Sequence, residues 1–190
     1  MRLLYFSNGS GLEPAKSGGN TRFIEIAKRL CEKNIQITIV CTSGAIELFK
    51  MEGLKVDFIE VSAAIFSKKE RSNFGRAWSY VISTIHSLFI IHRLPKCELL
   101  HSPSDYFCDV IPSIIYKIVN KETYFTSMIH HICRHPNGRK GNYLINTLSY
   151  ISQRFTHNML SRFSDSIFVY DTPEGETISR FFEKKQFNSI

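Results

Sequence analysis

Arg2-Leu3-Leu4-Tyr5-Phe6-Ser7 opens the chain, Gly18-Gly19-Asn20 follows a polar loop, and an amphipathic run then leads into Gln36-Ile37-Thr38-Ile39-Val40-Cys41. The first and last runs are short and rich in β-branched, aliphatic or aromatic residues, as strands covered on both faces are. Between them Phe23, Ile24, Ala27, Leu30 and Cys31 recur at helical spacing and form one apolar stripe. Asn20 is expected to cap this helix and Asn34 to stop it. Strand, loop, helix and strand in this order build a parallel sheet with helices packed on it.

The same alternation continues to the end. Further strands are expected at Lys55–Val61, Glu98–Ser102, Thr123–Ile129 and Ser166–Tyr170. Ala77–His92 is expected to be a helix packed on the sheet, too polar and too short to cross a bilayer. Phe107, Val110, Ile111, Ile114, Ile115 and Ile118 make a second helical stripe, in which Pro112 suits a first turn better than an interior. Leu144, Ile145, Leu148, Ile151, Phe155, Met159 and Leu160 mark a long helix from about Asn142 to Arg162. A short helix is expected over Pro173–Phe182, with proline at its start. The fold class is α/β: a Rossmann-like, doubly wound, mostly parallel sheet with helices on both faces and strand order 3-2-1-4-5-6.

Composition sets the outer limits. The chain has 190 residues, 43% hydrophobic and 22% charged, which is enough apolar material for one core and excludes a disordered or fibrous protein. Its 24 Lys and Arg against 17 Asp and Glu give a net charge of +7, which favours anionic partners. Positive charge concentrates in two stretches expected to be surface loops, Ser62–Asn73 and Cys133–Gly141. No zinc finger, basic helix or RNP-like aromatic sequence accompanies it, so no nucleic acid is expected as a partner. Five cysteines, an odd number with no C-x-x-C pair, predict reduced thiols in a cytoplasmic protein.

In a doubly wound sheet, ligands bind outside the carboxyl ends of the strands. The first such turn, Asn8–Asn20, holds four glycines and Lys16. Gly18 and Gly19 at a helix start let backbone N–H groups approach an anion, and Lys16 adds a point charge. Two nucleotide motifs fail here. Gly9-Ser10-Gly11 lacks the third glycine of a dinucleotide fingerprint, the next strand ends without a ribose-binding acid, and no G-x-x-x-x-G-K-[ST] is present.

Gly18-Gly19, the helix with Ile26-Ala27-Lys28-Arg29-Leu30, and the strand ending Val40-Cys41-Thr42-Ser43 resemble the start of a GT-B glycosyltransferase of the retaining, family 4 type. Leu100-His101-Ser102-Pro103-Ser104 resembles that family's turn after the fourth strand, Ile129-His130-His131 its turn after the fifth, and Ser164–Tyr170 its sixth strand. The resemblance spans nearly the whole chain. It implies an acceptor-binding N-terminal domain over 1–186, with 187–190 starting an interdomain connection. A C-terminal domain outside these residues would hold most of the nucleotide-sugar donor. By the same resemblance Gly18 and Gly19 face the donor diphosphate and the acceptor, and His130 sits beside the transferred sugar as the catalytic residue. Asn20, Lys16, Ser102 and His131 complete the expected substrate-binding set. Tyr170-Asp171-Thr172 departs from the family, where a serine often follows the sixth strand.

The implied reaction moves a sugar from a nucleotide-sugar donor, a substrate rather than a cofactor, to a glycan or lipid-linked acceptor. This half alone is expected to be inactive. No metal is expected: His130 and His131 point to opposite sides of an extended chain, and no second ligand pair has suitable spacing. His101 is expected to be structural. Lys68–Arg76 with Phe74 and Trp78 suggests peripheral contact with an anionic membrane at its inner face. The alternative function is a non-catalytic carbohydrate- or partner-binding module of the same fold.

Overall fold

Leu3, Leu4, Tyr5 and Phe6 are all buried, and their alternation divides the protein. They form β1 (Arg2–Phe6), whose odd and even side chains point to opposite faces of the sheet. Leu3 and Tyr5 join one hydrophobic cluster, and Leu4 and Phe6 join another. The computed structural model describes residues 1–10, 18–62, 73–169, 176, 178, 182 and 186–189, with the backbone alone at 73, 74, 76 and 186–189. The remaining strands are β2 (Gln36–Thr42), β3 (Asp57–Val61), β4 (Leu99–Ser102), β5 (Tyr124–Ile129), β6 (Ser166–Val169) and β7 (Gln186–Ser189). The helices are α1 (Gly18–Glu32), α2 (Ser43–Met51), α3 (Asn73–Ile90), α4 (Phe107–Val119) and α5 (Tyr143–Phe163).

The sheet runs β3-β2-β1-β4-β5-β6-β7, and every pairing is parallel. The doubly wound order expected from the sequence is therefore present, extended by one strand. Gln186–Ser189 pairs in parallel with Ser166–Val169 at the sheet edge.

On one face, Phe23, Ile24 and Ala27 of α1 and Ala45 and Phe49 of α2 pack on Leu3, Tyr5, Ile37 and Ile39. On the other, Val110 and Ile114 of α4 and Leu160 of α5 pack on Leu4, Phe6, Leu100 and Phe125. α3 and α5 flank α4 on this second face.

Three expectations need correction. α1 starts at Gly18, so Asn20 lies in its first turn rather than at its cap. Asn34 does stop it, in the left-handed region at φ 56°, a conformation asparagine tolerates. Pro112 lies well inside α4 rather than in its first turn. Most of the apolar stripe on α5 faces outward: Leu144, Leu148, Ile151 and Phe155 are exposed, and the buried face carries Asn146, Gln153, Thr156, His157 and Leu160. Polar contacts, not greasy ones, seat most of that helix. The helix expected over Pro173–Phe182 lies mostly outside the described residues, although Ile178 and Phe182 are buried in the core.

Candidate functional site

β1 and β4 are neighbours, but β1 leads into α1 on one face and β4 into α4 on the other. At such a switch point the two connections diverge and leave a crevice above the carboxyl ends of the strands. The residues after β1 are tied down on both sides of it. The Ser10 hydroxyl donates to Asn20 Oδ1 at 2.8 Å and stands 2.8 Å from the Ser7 hydroxyl. Asn8 Nδ2 donates to the Ser87 hydroxyl of α3 at 2.9 Å and to the Cys108 carbonyl of α4 at 2.8 Å. The second contact has a cause in the sequence. Position 112 is proline, so the Cys108 carbonyl has no helical N–H to accept, and the Asn8 amide takes its place.

Asp109, in the first turn of α4, closes the turn. Its Oδ1 accepts the Gly9 N–H at 3.0 Å and its Oδ2 accepts the Ser104 hydroxyl. Burial pushes this carboxyl up to about 7, although the hydrogen bonds from Ser104, Gly9 and Asn8 oppose the rise. Gly9 packs closely here: a Cβ would lie 3.1 Å from Tyr106 Cδ2 and 3.4 Å from Asp109 Oδ2, tighter than ordinary contact.

The turn after β4 is locked to the one after β5 from below. Asp105 is 2% exposed, and its Oδ2 accepts from Gln153 Nε2 at 2.7 Å and His157 Nε2 at 2.9 Å. Gln153 also donates to the His131 carbonyl at 2.8 Å and accepts the Cys133 N–H at 2.6 Å. One amide on α5 thus fixes both loops that flank His130. His130 Nε2 in turn donates to the Pro103 carbonyl at 2.8 Å. Burial lowers the His130 pKa, and the nearby Arg22 and His131 add to that; the Pro103 carbonyl and the Asp105 charge act against it. The ring is neutral at neutral pH, a state suited to hydrogen-bonding a hydroxyl rather than pairing with a phosphate.

α1 follows the carboxyl end of β1 and His130 follows that of β5, and these two strands flank β4 in the parallel sheet. Gly18 is exposed and a Cβ there would meet nothing within 4 Å; Gly19 and Asn20 are half-buried beside it. The backbone at Gly18 is not in the left-handed region, so nothing internal to the fold demands a glycine. Lys16 lies outside the described residues, as do Tyr170-Asp171-Thr172 and the segment Lys68–Arg71. Ser102 is fully buried and its hydroxyl donates to the Ser104 carbonyl at 2.6 Å, so it shapes the β4 turn rather than lining the mouth. The His131 side chain is exposed, turned away from the half-buried His130 as alternation along an extended chain requires. His101 packs between Tyr5 and Phe168, 2.7 Å from the Thr126 hydroxyl, and burial pushes its pKa down to about 3. Among the described residues no group of three or more His, Cys, Asp and Glu side chains is placed to hold a metal ion.

Asn8, Asp105, Asp109 and Gln153 escaped the sequence reading. Each makes a hydrogen bond to a group at least 20 residues away, and no local spacing announces such a pairing. Pro112 was the one available signal, since a proline inside a helical stripe leaves a carbonyl in need of a donor.

No family model matches the chain, and no curated protein is similar to it by sequence. Solved structures do match it in fold. HepE from Anabaena, crystallised with UDP and glucose, superposes with a TM-score of 0.61 at 11% identity, over 100% of this chain and 44% of that one. The calicheamicin glycosyltransferase CalG4 superposes with a TM-score of 0.53 at 11% identity, over 93% of this chain and 50% of its own. MT0777 matches with a TM-score of 0.50 at 11% identity over 97% of both chains. The chain spans about half the length of the glycosyltransferase structures it matches. At this identity the likeness establishes the fold, a Rossmann-like α/β domain of the GT-B kind.

Proposed function

We propose that the chain is the acceptor-binding half of a retaining, family 4 type glycosyltransferase, moving a sugar from a nucleotide-sugar donor to a glycan or lipid-linked acceptor. The observation that carries this reading is the topology at the switch point. The N-terminus of α1, which carries Gly18 and Gly19, follows the carboxyl end of β1, and a neutral His130, whose ring donates to the Pro103 carbonyl, follows the carboxyl end of β5 in the same parallel sheet. The pairing suits the two ends of such a substrate. The positive end of the α1 dipole attracts a phosphate, and a neutral imidazole hydrogen-bonds a sugar hydroxyl. HepE, of the same fold, was crystallised with UDP and glucose, which makes UDP-sugars the first donors to try.

In this reading His130 steadies the sugar, Gly19 and Asn20 frame the mouth, and Asp109, Asn8 and Gln153 are positioning residues. The half contributes orientation and electrostatics rather than a nucleophile. The test is a radiolabelled transfer assay on the protein joined to its donor-binding half, with a panel of nucleotide sugars. Transfer from one donor is expected, and His130→Ala is expected to lower kcat about tenfold, the worth of one neutral hydrogen bond. Binding of glycans without transfer from any donor would assign the protein instead to a carbohydrate-binding role.

A further inference from the structure

We propose that the outer face of α5 seats the protein on an anionic lipid surface. Leu144, Leu148, Ile151 and Phe155 are 65%, 59%, 58% and 52% exposed, at spacings that align them along one side of the helix. A lone exposed leucine needs no explanation, but a continuous stripe of large apolar side chains does. The stripe does not belong to the core, because the opposite face of α5 is already anchored through Gln153, Thr156, His157 and Leu160.

Charge decides what covers it. From Thr123 to Ser164 the sequence contains no Asp or Glu, while Arg134, Arg139, Lys140, Arg154 and Arg162 are all exposed. A second copy docking on this face by two-fold symmetry would set one basic surface against another, with no carboxylate from this segment to relieve it. An anionic bilayer meets both requirements at once, taking the apolar stripe into its acyl boundary and the basic flanks among its headgroups. No helix of the described residues is long and apolar enough to cross a membrane, so α5 lies in the interface. Its N-terminal end follows directly from the loop after β5, which sets Leu144 at the same end of the sheet as His130. A seated protein therefore turns its candidate site toward the lipid surface. The proposal rests on the surface of α5 and the basic loop before it, independently of the reaction assigned to the crevice.

Co-sedimentation of the chain with vesicles tests it, using phosphatidylcholine with and without phosphatidylglycerol at low and high salt. Binding to the anionic vesicles only, weakened by salt, is expected. Leu148→Ser/Phe155→Ser, at exposed positions that leave the fold intact by thermal melting, should reduce partitioning by about tenfold or more. Arg139→Glu/Lys140→Glu should reduce it without touching the apolar stripe. Three results would overturn the proposal: no binding to anionic vesicles at low salt, binding unchanged in both variants, or a wild-type dimer that the serine variant dissociates.

Discussion

At Asp109 a fully buried carboxyl holds the Gly9 amide and the Ser104 hydroxyl, and its pKa stands near 7 instead of the usual 3.8. In the unfolded chain the same group ionises near its ordinary value. Between those two points the unfolded state releases its proton while the folded state keeps it, so this residue's contribution to stability falls as pH rises from about 4 to about 7. Asp109→Asn removes the titration and keeps an acceptor for Gly9. Denaturant melts across that window should show wild type losing up to about 1.4 kcal/mol per pH unit relative to the variant. Parallel curves would exclude the buried carboxyl as the cause. His101 has the opposite sign: neutral in the fold down to about 3, it weakens the protein as pH drops below its ordinary value of 6.5. The sequence exposed these two unequally. His101 sits in a strand among apolar residues, which betrays its burial. Asp109 sits in a helix start, where a solvated carboxylate is the ordinary outcome, and only the distant Gly9 turn folds over it.

Pro112 and α5 carry the lesson at the level of elements. The reading of a proline as a helix-start residue was defeated by Asn8, which arrives from the end of β1 to take the orphaned Cys108 carbonyl. Asn8→Ala removes that donor and should cost about 1–3 kcal/mol, the penalty of a buried acceptor left alone. In a Pro112→Ala background residue 112 supplies its own N–H, and the cost of Asn8→Ala should shrink. A double-mutant cycle by urea denaturation reads this coupling directly; strictly additive costs would show that the two positions do not share the carbonyl. For α5, its helical period and extent were plain in the sequence, but its orientation was not. Apolar periodicity says which side chains share a face, not which face finds the sheet. Here Gln153 and His157 had a buried partner in Asp105, and Leu144 and Phe155 did not.

At the scale of the fold, six of the seven strands among the described residues, and their order, follow from apolar runs separated by helical stripes, because a doubly wound sheet leaves few ways to connect them. β7 does not read as a covered strand because three of the four residues in Gln186-Phe187-Asn188-Ser189 are polar, as suits an edge strand. The switch point between β1 and β4 was equally legible, since the strand order alone sets it. Its furnishing was not: Ser102 turned inward to hold a loop, and the loops beside His130 depend on an amide contributed from α5.

The central claim is that a ligand occupies the space above Gly18, and replacing that glycine tests it most directly. Among the described residues a Cβ there meets no atom within 4 Å beyond its chain neighbours and its own helix backbone, and the position is outside the left-handed region, so Gly18→Trp should melt at the wild-type temperature. If the open space is where donor phosphate and acceptor meet, the same variant should lose at least about a hundredfold in kcat/KM for sugar transfer, since the indole fills the ground the substrates need. A Gly18→Trp enzyme with wild-type kcat/KM would place the chemistry elsewhere.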